Sequence, residues 1–299
     1  MALFGRKRTP APRAPAPARP VPGRFRPEDL ENRIKRLFEA EGYNPPMLPT
    51  SASQILLMAQ RPDVSIEDIH GALETDPMMV AAVLKLVRSP MYGRGDVRSL
   101  KDALVRLGVV RIRNLVMEVA MKGRVFKAPG YAEIMESLQR HGRAVAHLSR
   151  LVARKVDRDP DVAFLCGLLH DVGLMAILAA VDEDIDLGTP RAATLVPAAR
   201  RFHAGCSAQV ALAWDLPPLV LEVLAIHHQL RTKGVGIHPV AATVSVAEAL
   251  SYQLGHGVGL GMDPIAKDEV EVAIRALELS GPDLDQLAQD GQQLLAQMA

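Results

Sequence analysis

The 299-residue chain contains only two cysteines, Cys166 and Cys206, each set among apolar residues. That argues against a disulfide framework and fits a reducing, cytoplasmic setting. Aromatic residues make up 4% of the chain, and no window alternates polar and apolar residues between hairpin turns. A sheet-based fold is therefore disfavoured, because aromatic side chains enrich strands. The formal net charge of +1 gives no global case for binding nucleic acid. The N-terminus lacks an apolar core and a small-residue cleavage site, so a secretory signal is not expected. No P-loop, dinucleotide fingerprint, internal repeat or convincing nucleophile–base pair is visible.

What the chain does contain is alanine, leucine, valine and methionine, with 48% hydrophobic residues overall. These residue types favour helix. Helix punctuation is dense. Pro27, Glu28 and Asp29 open an amphipathic segment running to about Ala40, stopped by Gly42 and Pro45-Pro46. Thr50 and Ser51 are placed to cap SASQILLMAQ. Ser65 with Asp68 forms a capping box, and Asp76-Pro77 sets an N-cap beside a proline at the first helical position. Ser99 with Asp102 caps LKDALVRL, which stops at Gly108. A helix follows over VVRIRNLVMEVAM, and a longer one from Tyr131 to Val156. The fold class read from this pattern is all-α.

Ahead of these helices, residues 1–26 carry Arg6, Lys7, Arg8, Arg13, Arg19, Arg24 and Arg26 with no acid, interleaved with proline and alanine. Such a segment is expected to be a disordered, solvated tail, with charge suited to anionic partners. Behind the helices, GHGVGLG from Gly255 reads as a flexible link. ELSGPDLDQLAQDGQQLLAQM closes the chain in helices separated at Gly281-Pro282.

The sharpest local feature is a His-Asp pair, His170-Asp171, inside the most apolar stretch, Ala163 to Val181. A lone buried carboxylate is costly, so Asp171 should be paired, hydrogen-bonded or metal-bound. The stretch is barely long enough to span a bilayer, and a central aspartate argues against it. The pair therefore marks a polar network or a metal site in a helical core.

The ordered motifs of the chain resemble the HDOD (HD-related output) domain of bacterial signalling proteins. The matching positions are Asp76-Pro77, Ser89, Tyr92-Gly93, Ser99-Leu100, Ala103 and Leu107-Gly108. GLLHDVG at 167–173, WDLPPLVLEVLAIHH at 214–228 and HPVAATVSVAEAL at 238–250 continue the match. Arg88 stands where that family usually has asparagine. The resemblance implies a leading helix over 27–44 and an HDOD domain over 45–257, followed by C-terminal helices over 258–299. The domain would comprise an N-terminal lobe over 45–125 and an HD-like lobe over 126–257.

Relationship to the HD superfamily implies a metal cage. The matching positions are His141, His170, Asp171, His203, His227, His228 and Glu248, a set suited to iron, manganese or zinc. If the site is active, Asp171 is the central ligand of a metal-dependent phosphohydrolase or phosphodiesterase acting on a nucleotide or cyclic dinucleotide. Several departures from the HD-GYP enzymes favour the non-catalytic reading. Leu174 replaces their lysine, no glycine-tyrosine-proline signature follows His228, and Glu248 replaces an aspartate. The expectation is an output module that binds signalling proteins or a nucleotide. Cys166, Cys206, Met78-Met79 and Met117 to Met121 are expected to pack in the core, as is Trp214.

Overall fold

The computed structural model describes residues 27–39, 43, 45–92, 97, 99–122, 125–184, 190–230, 236–259 and 265–297. The basic segment 1–26 and Gly42 lie outside the described residues, as do residues 93–96, 98, 231–235 and 260–264. The described residues form helices and no β-strand, as the punctuation predicts.

The first helices are α1 (Pro27–Glu39), α2 (Thr50–Met58), α3 (Ile66–Glu74), α4 (Pro77–Val87) and α5 (Leu100–Lys122). The Ser65–Asp68 capping box forms, and Asp76 accepts from the Met79 amide at 3.0 Å. Ser99 and Asp102 cap α5 reciprocally. Gly108 interrupts α5 at φ 75° and ψ 167°, a conformation that glycine adopts without a Cβ penalty. The capping roles expected for Thr50 and Ser51 do not appear. Pro49 occupies the cap, and the buried Ser51 hydroxyl instead donates to Asp76 at 2.8 Å. Arg88 spans its loop by donating Nε–H to the Val97 carbonyl at 2.8 Å.

The second half contains α6 (Ala132–Lys155), α7 (Pro160–Leu169), α8 (Val172–Glu183), α9 (Ala192–Arg200) and α10 (His203–Ala213). It ends with α11 (Pro218–Ile226), α12 (Pro239–Gln253), α13 (Lys267–Ala276) and α14 (Gly281–Ala296). Its centre is the packing of α6, α7 and α12, flanked by α8 on α10 and α10 on α11. Residues 160–183 are apolar and long enough to cross a membrane, but 94% of an 18-residue window within them lies buried inside the fold. The stretch also breaks at His170-Asp171, between α7 and α8.

Two expectations need correction. Gly255 to Gly259 is a packed turn rather than a free link: both glycines take φ of +80°, and Val258 is buried. Met78 is 80% exposed while Met79, Met117 and Met121 are buried. α4 turns only one of its paired methionines inward. Trp214 is buried and donates its indole N–H to the Pro46 carbonyl at 3.0 Å, tying the two halves together.

Candidate metal centre

Helix ends and two helix interiors deliver the polar residues. His141 sits midway along α6, His170 caps the end of α7, and Asp171 precedes α8. His203 opens α10, His227 caps the end of α11 with His228 next, and Glu248 lies on α12. All seven converge in two adjoining groups. Asp171, His203, His227 and His228 form one, and His141, His170 and Glu248 the other, with ligand atoms inside each group within 4.8 Å of one another.

Close helix packing makes this convergence geometrically feasible. A Cβ on Gly173 would collide with the His203 carbonyl and the Ser207 amide. Only glycine there lets α8 approach α10 so closely. Ser207 locks the junction, accepting from the Gly173 amide and donating to the His170 carbonyl, both at 2.8 Å.

Four imidazoles are oriented the same way. Nδ1 of His141, His170, His203 and His227 lies 2.8, 2.8, 2.6 and 2.7 Å from the carbonyls of His256, Gly167, Arg200 and Leu224. A carbonyl only accepts, so each Nδ1 carries the proton and donates it. In the neutral rings this leaves the Nε2 lone pairs aimed inward, the arrangement that backbone carbonyls impose on metal-ligating histidines. His203 Nε2 and His227 Nε2 then face each other at 3.2 Å, lone pair to lone pair. Only a proton or a cation between them removes that repulsion. Asp171 reaches both groups, with Oδ1 3.3 Å from His203 Nε2 and Oδ2 3.4 Å from His170 Nε2.

Further buried atoms lack partners. His141 Nε2, His170 Nε2 and Glu248 Oε2 make no hydrogen bond, although the His228 ring nitrogen lies 3.8 Å from that carboxylate oxygen. Orphaned buried polar atoms are costly and rare. Seven nitrogen and carboxylate donors, three of them with an orphaned buried atom, therefore fit a divalent first-row metal better than a closed hydrogen-bond network.

Electrostatics in the metal-free site follows burial and Asp171. Burial pushes His141 down to about 4 and His228 to about 3, and holds His203 low and His227 well below its usual range. These rings are neutral near pH 7. Burial opposes charge on His170 as well, but the adjacent Asp171 carboxylate more than reverses it, to about 9. Asp171 is itself opposed by burial, yet the surrounding histidines hold it well below the carboxylate range. Burial lifts Glu248 to about 7.

Several residues of the site carry no sequence signal. Tyr252 packs edge-on against His141 at 5.3 Å between centroids. His256 contributes its carbonyl, and the charge of Arg200 reaches His203, His228 and Glu248. His238 instead caps α12 by accepting from the Ala241 amide. The cysteines are free and buried.

Fold and site together define an all-α protein built around a buried histidine–carboxylate cage. The HDOD domain family matches residues 46–230, and the chain belongs to that family. A curated relative from Treponema pallidum (strain Nichols), itself uncharacterised, is 26% identical over 213 residues, covering 68% of this chain. The chain spans 41% of that relative's length. Among solved structures, a candidate metal-dependent phosphohydrolase from Shewanella amazonensis SB2B superposes with a TM-score of 0.69 at 20% identity. The overlap covers 91% of this chain and 98% of that one. An HDOD domain protein of unknown function from Geobacter sulfurreducens gives 0.64 at 21% identity, over 90% and 97% of the two chains. At these identities the likeness is one of fold.

Proposed function

We propose that this chain is a cytoplasmic signal-transduction output module whose helical cage holds a divalent metal and which acts by contacting a signalling protein rather than by turnover. The observation that supports this reading is the burial of the cage. His141, His170, Asp171, His203, His227 and Glu248 are all at most 6% exposed. A catalytic metal keeps an open position reachable by substrate, whereas these six donors are enclosed and only the seventh, His228, has a partly exposed side chain, at 18%. Leu174, in place of the phosphate-binding lysine of related enzymes, is fully buried.

The cage donors would hold iron, manganese or zinc, with Asp171 shared between the two groups. A bound ion would cross-link the helices carrying its ligands and, were a position open, would polarise a phosphoryl oxygen. The chain's own residues prepare the site. The carbonyls of His256, Gly167, Arg200 and Leu224 fix the tautomers, and Ser207 fixes the α8–α10 junction.

One observation favours a second reading, a metal-dependent phosphohydrolase acting on a nucleotide or cyclic dinucleotide. The positive charge of Arg200 acts on His203, His228 and Glu248, and a substrate phosphate would need such a charge.

Full-length protein loaded separately with Fe(II), Mn(II) or Zn(II) would be assayed on a cyclic dinucleotide and on bis(4-nitrophenyl) phosphate. The output-module reading expects bound metal with turnover no higher than in His170→Ala and Asp171→Ala variants. Metal-dependent turnover abolished by both changes would replace it with the phosphohydrolase.

A further inference from the structure

A second polar cluster lies on another face of α6. His147 follows His141 by six residues, ~240° around the helix, so it points away from the cage and toward α5. There the Tyr92 hydroxyl donates to Glu118 Oε2 at 2.9 Å, and His147 Nε2 lies 3.7 Å from the same oxygen. His147 and Glu118 are both almost completely buried.

His147 and Tyr92 line a pocket of about 280 Å³ between α5, α6 and the end of α14, together with Arg111, Arg150, Arg154, Asp290 and Gln293. Arg150 and Arg154 are one turn apart on α6, so their side chains share a face and repel. Arg150 is held from below by α7. Its Nη2 lies 2.9 Å from Asp161 Oδ1, and its guanidinium stands 4.0 Å over the Phe164 ring. Arg111 Nε is 3.9 Å from the other oxygen of the same carboxylate. Arg150 Nε and His147 Nε2 remain buried without a hydrogen-bond partner. Arg111 and Arg154 are exposed, and among the described residues Arg154 has no ion-pair partner.

Three guanidinium groups line one concavity against two carboxylates, Asp161 shared between two of the arginines and Asp290 on α14. This still leaves net positive charge and N–H donors facing an open space. Planar guanidinium forks match phosphate oxygens bidentately. We propose that this pocket binds the phosphate group of a small phosphorylated ligand, clamped by Arg111 and Arg154 over the positioned Arg150. Leu107, Leu151 and Leu294 supply an apolar wall for an organic group. The volume of about 280 Å³ falls just below the roughly 300–1,000 Å³ typical of small-molecule sites, which suits a mononucleotide or smaller and not a dinucleotide. The site is independent of any metal in the cage. It touches the same helices, however: α6 carries His141 as well as Arg150, and α7 carries Asp161 and Phe164 and ends at His170.

Isothermal titration of the full-length protein, treated with chelator, would use inorganic phosphate, AMP and GMP as probes. Saturable binding of at least one is expected, weakened at least about tenfold by Arg154→Glu and by the Arg111→Ala/Arg154→Ala pair. Arg275→Ala, an exposed arginine on α13, should change it less than twofold. Tighter binding of AMP or GMP than of phosphate assigns the ligand to phosphate esters, and equal binding assigns it to free phosphate. The proposal is overturned by absence of saturable binding for all three probes at millimolar concentration. It is also overturned by binding that survives both arginine variants, or that Arg275→Ala weakens equally. Circular dichroism melting would establish that the variants fold.

Discussion

The imidazoles of His203 and His227 meet at 3.2 Å with both Nδ1 protons committed to backbone carbonyls, an arrangement unfavourable unless something positive sits between them. The same logic extends to the orphaned nitrogens of His141 and His170. In the metal-free protein part of that charge is a proton, because Asp171 lifts His170 to about 9 and burial lifts Glu248 to about 7. Metal must displace these protons. Zinc titrated calorimetrically in buffers of different ionisation enthalpy should therefore release more protons at pH 6.5 than at pH 9.5. Equal release at both would contradict the assignment of His170 and Glu248 as ligands. Gly173 makes the second residue-scale case. A methyl group there meets backbone atoms of His203 and Ser207, which cannot swing aside as a side chain would. Gly173→Ala should cost about 3 kcal/mol in urea unfolding and lower metal affinity as α8 and α10 move apart.

At the scale of elements, helix starts carry much of the readable information. Ser65–Asp68, Asp76-Pro77 and Ser99–Asp102 are written in local hydrogen-bond chemistry, and each forms. The same reasoning applies to α14, where Ser280 and Asp283 make an equally plain capping box. Ser280→Ala should lower stability by about 1 kcal/mol in chemical denaturation, and a change under a few tenths would show the cap to be idle. Thr50 and Ser51 went the other way, because burial of Ser51 against Asp76 is a tertiary contact that no local pattern encodes. The His-Asp pair stands out in sequence because polar groups in an apolar run demand partners. Arg200, Tyr252 and the His256 carbonyl do not, since their roles arise only when distant helices meet. Gly255 and Gly259 look like freedom in sequence. In the fold their positive φ angles shape a turn that brings the His256 carbonyl to His141.

For the whole molecule, the cage draws on α6, the α7–α8 junction, α10, the end of α11 and α12, so metal occupancy and global stability should be linked. Above about pH 6.5 the sign with pH follows from two groups. His170, raised from 6.5 to about 9, contributes stability in full below pH 6.5 and loses it as pH rises through 9. Glu248, raised from 4.5 to about 7, contributes while protonated and loses its contribution as pH rises through 7. Below about pH 6.5 the four histidines held low by burial act the other way, their contribution being lost as pH falls. The metal-free protein therefore weakens from about pH 6.5 to 9.5, while metal binding strengthens as its ligands deprotonate. The increase in Tm on adding Mn(II) or Zn(II) should be ~5 °C larger at pH 8.5 than at pH 6, measured by scanning calorimetry. A smaller increase at the higher pH would contradict that coupling. The claim on which this rests is that the cage of a chain in the HDOD domain family still holds metal. Elemental analysis of purified full-length protein tests it most directly. The expected result is about one or two divalent ions per chain in the wild type, lost in both His170→Ala and Asp171→Ala variants that remain folded. A metal-free wild type after growth and purification in supplemented iron, manganese and zinc, or metal retained in both variants, would contradict it.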